Sequence, residues 1–469
     1  MTPASPAILG AGTFTSKITV RACVNSATCA SGELAGSPQT INVTYTIGTV
    51  IPANAVMPHV VTTGIAGQVV IRGNGLSGVS AVSFGSTPAT AVNVVSDTEV
   101  HASYPATLTA QTIPVTLNGG SVAFSGSIVA LDPQHYTAQT LALPEAPQRI
   151  LGTLYDAQRR ALFVAAGFTQ TSNNKLWQYT YSGSAWSATP AIVPIADLRS
   201  ITFSNDGALL LVLTRNSILE FDPANLAAGA TRTVAAPFPQ PYLSAPQYLA
   251  DWALANDGYA FIPTGAVGAS GGIGSYLYAS TAHTFTFMPL TMEQFSLYVY
   301  DFVGSPTLAA SADGSLILAA QSGLSPPSLV IQYSPDTTLV TLTKISVNGL
   351  NNQPPVMDSS AAKRVVYDGT TNSVYDSKYA LLGNIPGTVR TLVINRQGTR
   401  VYALNQDNTL HSYDLTATPV SGNYPEIGTG NVQTVPASSA LIAVHLEISP
   451  DGSTLFLTGD TGVAVIPAP

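Results

Sequence analysis

The chain has 469 residues, enough for two or three domains with cores of their own, and only 9% of them are Asp, Glu, Lys or Arg, against about 25% in an average soluble domain. Its 17 basic and 25 acidic residues leave a formal charge of −8 with no basic stripe, which argues against a nucleic-acid partner. The longest apolar runs, such as residues 208–213, fall far short of the roughly 20 needed to span a bilayer, and 39 Gly and 33 Pro fit many short strands joined by turns.

The opening residues have neither a basic n-region nor an apolar h-region. Residues 1–50 are expected to be the C-terminal part of an immunoglobulin-like domain, in an excised fragment rather than a cytoplasmic protein. Residues 12–23 alternate apolar and polar side chains, and residues 39–47 do so again, giving a final hairpin of a sandwich. This stretch, with Gly12, Phe14, Ile18 and Val20 ahead of a Cys pair, resembles the last strands of the tandem immunoglobulin-like repeats of bacterial surface proteins. Cys23 and Cys29 are the only cysteines. A disulfide between them would contribute about 2 kcal/mol and imply an oxidising compartment. No His accompanies them, so no metal site is expected there.

Residues 51–58 form a Pro-punctuated linker. Strands are expected over 69–76, 79–89, 92–102 and 112–117. The Gly-x-Gly-Leu turn (Gly73, Gly75, Leu76), the Val-x-Phe-Gly strand end (Val82, Phe84, Gly85) and the run Val95, Ser96, Thr98, Val100 resemble the IPT/TIG immunoglobulin-like family over about 57–131. The domain is placed at 51–131. The resemblance departs at residues 62–67, where the family's opening is shortened. It implies a spacer or protein-contact module.

From residue 132 a unit repeats: an apolar strand, an Asx-Gly turn, a second apolar strand. Its turns fall near 158, 206, 257, 313, 362, 397 and 451, a mean period of about 49 residues. Seven copies predict an all-β, seven-bladed propeller over 132–469, closed by a strand from residues 135–143 that completes the last blade. The Ser-x-Asp-Gly-x-x-Leu/Val-Tyr/Phe-Val pattern resembles the YVTN-type and lactonase-like propellers of bacterial surface and periplasmic proteins. Blade 5 departs most, with Ser359, Ser360, Ala361 and Ala362 in place of Asp-Gly.

Few motifs point to chemistry. Gly268, Ser270 and Gly272 satisfy Gly-x-Ser-x-Gly but lie in a Gly-rich loop between strands, without the helix a nucleophile elbow needs. Ser360 and Lys363 satisfy Ser-x-x-Lys in a blade turn. Residues 405–408 carry Ca²⁺-compatible oxygens at a hairpin. The six His residues are dispersed, and no cofactor or metal is expected. The ligand-binding candidates are those at the starts of the innermost strands, where a propeller channel opens: Asp251, Trp252, Asp358, His445 and Glu447. Trp177, Trp186, Tyr242, Tyr248, Tyr298 and Tyr300 are further candidates, as platforms for sugar rings.

The sequence is therefore expected to be a non-catalytic secreted or cell-surface binding or adhesion protein of bacterial type, recognising a cell-surface protein or glycan through the propeller. Two alternatives stay open. One is a lactonase-like or lyase-like propeller enzyme with its site at the channel mouth. The other is a structural subunit that self-associates through the N-terminal sandwich edge.

Overall fold

The computed structural model describes residues 12–24, 32–47, 55–238, 247–266, 274–289, 307–320, 330–333, 341–343, 356–367, 372–438 and 444–469. Strands dominate, interrupted only by short 3₁₀ turns, and no helix among the described residues is long and apolar enough to cross a membrane. Gly12–Val20 and Gln39–Ile47 pair antiparallel as a two-stranded ribbon, Gly12 opposite Ile47 and Val20 opposite Gln39. Cys23 is disulfide-bonded, and Cys29 lies outside the described residues.

The next module is an immunoglobulin-like sandwich. One sheet orders Ala55–Met57, Gly67–Arg72, Glu99–Tyr104 and Ala91–Ser96. The other orders Val60–Thr62, Ser127–Leu131, Gln111–Leu117, Val82–Phe84 and Thr87–Pro88. Val69, Ile71, Val100 and Ala102 of the first sheet meet Phe84, Val115, Leu117 and Ile128 of the second in one core. A strand with one solvated face should alternate buried and exposed residues. Gly67–Arg72 instead buries four consecutive residues, Val69 to Arg72, because its outer face is also covered.

Seven antiparallel sheets then form the propeller, each led by an innermost strand: Arg149–Asp156, Leu198–Phe203, Gln247–Leu249 with Ala253–Leu254, Thr307–Ala310, Val356–Met357, Val389–Ile394 and His445–Ile448. The last blade contains only three consecutive strands, and Gln139–Ala142 pairs antiparallel with its Gly462–Pro467 as the fourth. Tyr136 pins this junction. Its ring lies among those of Tyr155, Tyr181, Trp186 and Phe456, and its hydroxyl is 2.6 Å from that of Tyr155. Between neighbouring blades the apolar faces interlock. Phe163 and Leu176 meet Ile201 and Val212 between blades 1 and 2, and Tyr402 and Leu404 meet Leu455 and Leu457 between blades 6 and 7.

The repeated turn owes its sequence to hydrogen bonding. In blade 2 the Ser204 hydroxyl donates to Asp206 Oδ1 (2.6 Å), which also accepts the Ala208 N–H, while Ser204 Oγ accepts the Leu209 N–H. Ser311 with Asp313 repeats this in blade 4 and Ser449 with Asp451 in blade 7. Each Asp thereby satisfies turn N–H groups that the ladder cannot reach, and the following Gly supplies the left-handed backbone. Blade 5 reaches the same end differently: Asp358 accepts the N–H groups of Ser360, Ala362 and Lys363, and Ala361 takes a φ of 54°.

The turns are also tied to one another. Asn205 Nδ2 donates to Ala255 O, the Asn256 N–H to Gly314 O, the Asp313 N–H to Ser359 O and the Ser359 N–H to Arg396 O. Gln134 joins blade 7 to blade 1, its N–H donating to Asp451 Oδ2 (2.6 Å) and its side-chain amide to Ala157 O (2.9 Å).

Two consequences can be measured. Gly314 and Gly452 both have positive φ, but a Cβ on Gly314 would lie 2.6 Å from the Asn256 backbone nitrogen, whereas one on Gly452 meets nothing. Gly452→Ala should cost about 1 kcal/mol through backbone strain alone, and Gly314→Ala distinctly more, read as the order of thermal midpoints. Tyr136→Ala should cost about 3 kcal/mol or more, because it empties the aromatic cluster at the closure. A midpoint equal to that of the parent chain would show that the closure bears no load.

Candidate functional site: the axial channel and its open mouth

The innermost strands surround a channel whose two ends differ. At the turn end the sandwich is seated on the propeller. Arg72, 1% exposed, places Nη2 2.6 Å from Glu99 Oε2 within its own sheet and donates from Nε to Asn256 Oδ1 of the blade 3 turn at 2.7 Å. From the other side, Arg396 of the blade 6 turn donates to Val60 O at 2.6 Å. Pro58, Val60, Arg396 and Pro450 border the cavities of about 370 and 410 Å³ that remain under the sandwich. A guanidinium is suited to such a junction, since its several N–H groups answer a carboxylate and an amide at once.

The channel itself encloses about 680 Å³. Asp251, His445 and Glu447 line it. Asp251 sits in a break of the blade 3 innermost strand. Pro263 stands on the neighbouring strand at that point and has no N–H for the ladder, so pairing stops at Leu249 opposite Thr264 and resumes at Ala253 opposite Phe261. The freed Asp251 carboxylate accepts the Leu308 N–H at 2.9 Å, which ties blade 3 to blade 4. Burial lifts its pKa to about 6, against hydrogen bonds from the Leu308 and Trp252 backbone and the Ser200 hydroxyl and the charge of Arg199. His445 is 3.1 Å from Ile150 O through Nε2, and burial lowers its pKa. Enclosure lifts Glu447 to about 8, with Arg396 opposing.

The other two candidates do not line this channel. Trp252 is 3% exposed and packs with Leu211, Leu213 and Tyr276 between blades 2 and 3, because the strand break turns Asp251 to the axis and its neighbour into the core. Asp358 is occupied as the cap of the blade 5 turn. Of the formal motifs, Gly268, Ser270 and Gly272 lie outside the described residues. Ser360 lies in that same turn, and Lys363 Nζ donates to Gly398 O and Leu415 O. Residues 405–408 form a hairpin turn in which Asp407 caps the Thr409 N–H. Trp177 and Trp186 are core residues; Tyr242, Tyr298 and Tyr300 lie outside the described residues.

Three arginines at the open end escaped the sequence reasoning. Arg149 and Arg199 line the channel mouth, and Arg199 and Arg215 stack over the Tyr248 ring at 4.6 and 5.7 Å from its centroid. Their signal was present, since Arg149 and Arg199 fall at the starts of consecutive innermost strands. Burial lowers the Arg199 pKa, and the charges of Arg149 and Arg215 push the same way. Tyr248 and Arg149 both lie across glycines, Gly265 and Gly167; a Cβ on Gly265 would collide with the Tyr248 ring, and one on Gly167 would sit tightly against Arg149 Cγ.

No family model matches the chain, and no curated protein matches it. Among solved structures, a chain from the crystal structure of a mitotic checkpoint complex aligns with a TM-score of 0.50 and 14% identity, covering 72% of this chain and 94% of that one. A likeness at that identity concerns the fold, and the protein is an all-β propeller with a β-sandwich ahead of it.

The channel acids give a pH signature. Between the ordinary glutamate value of 4.5 and about 8, the folded chain holds a proton on Glu447 that the unfolded chain releases, so stability from this group falls as pH rises through that window. Glu447→Gln should therefore raise the thermal midpoint over the parent by a margin that grows from about pH 5 to about pH 8 and then levels. A margin independent of pH would contradict the assignment.

Proposed function

We propose that this is a secreted or cell-surface binding protein of bacterial type, in which an IPT/TIG-like module supports a YVTN-like propeller that recognises a cell-surface protein or glycan with the face around its open channel mouth. The observation that carries this reading is the seating of the sandwich. Arg72 and Arg396 commit the turn end of the propeller to the sandwich, and among the described residues the opposite face carries no such cover. Propeller folds place variable loops there on a rigid ring, the arrangement that loop-borne recognition needs. The low charge and the disulfide at Cys23 fit an extracytoplasmic setting.

A second reading has one observation in its favour. Glu447, held near pH 8 inside a channel, is protonated at neutral pH and is therefore suited to donating a proton, as a propeller hydrolase or lyase would require.

One preparation separates the two. Arg149→Cys coupled to a bulky maleimide polymer covers the open face, and Lys378→Cys coupled to the same polymer marks the hairpin joining the third and fourth strands of blade 5, at the turn end. On panels of immobilised glycans and cell-surface proteins, binding should survive modification at residue 378 and disappear with modification at residue 149. Equal binding by both conjugates would contradict the reading. Turnover of lactones, esters or uronate-containing polysaccharides that is lost in Glu447→Gln would favour the enzyme.

A further inference from the structure

The open mouth has a chemistry more specific than a generic contact surface. The chain contains only 17 Lys and Arg, yet Arg149, Arg199 and Arg215 gather at one point, near enough for each to act on the charge of Arg199. Among the described residues none of the three is in an ion pair. The carboxylates that act on Arg199 are Asp197 and Asp251, and Asp251 is already engaged by the Leu308 N–H. Two of the arginines are also held in place. Tyr248 lies under Arg199 and Arg215, and the stem of Arg149 crosses Gly167. Side chains ordered before binding lose less entropy on binding, so this cluster is prepared for an anion.

Beyond the arginines the wall is largely apolar, with a few hydroxyl residues among its side chains. Thr153 and Thr307 line the same cavity, and their hydroxyls are buried without a hydrogen-bond partner. Ser200 and Thr391 add further hydroxyls to the lining. A cavity of about 680 Å³ lies in the size range of small-molecule sites.

We infer that the mouth binds a carboxylate-bearing, hydroxyl-rich ligand, an acidic sugar residue, with Arg149 and Arg199 on its carboxylate and the lining that includes Ser200 and Thr391 beneath its ring. This rests on the open face being the recognition surface. Two N–H groups of one guanidinium match the two oxygens of a carboxylate, which distinguishes an acidic sugar from its neutral parent.

Titration calorimetry on the full chain tests it, with D-glucuronate, D-galacturonate and N-acetylneuraminate as probes against D-glucose, D-galactose and inorganic phosphate. At least one acidic sugar should bind, its neutral counterparts at least about tenfold more weakly, and Arg149→Gln or Arg199→Gln should weaken it by about tenfold or more. Arg232→Gln, on the outer strand of blade 2, should leave binding unchanged. Arg149 is exposed, so that variant tests the site even if Arg199→Gln misfolds, and thermal unfolding shows which variants are folded. Equal affinity for acidic and neutral sugars, phosphate binding as tight as the best sugar, unaltered binding in both arginine variants, or no binding by any acidic sugar would each overturn the inference. The polymer-blocked Arg149→Cys chain, tested against protein partners, would still decide whether the open face is used.

Discussion

The turn between the first two strands of each blade is the constraint on which this molecule depends. An Asp or Asn side chain gathers turn N–H groups that no strand can pair, and in three of the seven turns a Ser hydroxyl completes the set. Because the turn is satisfied from within, its remaining carbonyls and amides are free to meet the neighbouring turns, as they do from Asn205 through Asn256, Asp313 and Ser359 to Arg396. Interlocked apolar faces supply most of the stabilisation of a ring like this one. The linked turns fix the angle at which those faces meet, and Gln134 carries the linkage across the point where the chain closes.

That arrangement gives the propeller two unlike ends. Asn256 offers an acceptor to Arg72 and Arg396 offers a guanidinium to Val60, so the linked turns also form the seat of the sandwich. The opposite end has no such cover among the described residues. It has a mouth with three arginines, a strand break that brings Asp251 to the axis, and a largely apolar channel wall with a few Ser and Thr residues.

The seven repeats were legible because a polar turn between two apolar strands leaves a mark at a fixed spacing. Blade 5 was the hardest to read, since Ala361 occupies a left-handed position that Gly fills in most of the other turns and only the Asp358 cap reveals the equivalence. Site residues were far less legible. Asp251 was found by its column position, but its neighbour Trp252 points into the core because Pro263, on another strand, interrupts the ladder between them. Asp358 looked like a channel acid because sequence position alone does not tell a capping carboxylate from a free one. The arginine cluster draws on two blades and a tyrosine from a third, and no local pattern announces it. Arg72 was equally silent, since its role appears only when Asn256, far along the chain, is placed beside it.

The most direct measurement is the rate at which individual arginines of the native chain react with phenylglyoxal, followed residue by residue by mass spectrometry. If the sandwich closes the turn end and leaves the other end open, Arg149 reacts faster than Arg199 and Arg215, and Arg72 and Arg396 stay protected until the chain unfolds. Reaction of Arg72 and Arg396 as fast as Arg149 in the folded protein would show that the turn end is not closed, and the account of a one-faced recognition protein would fail with it.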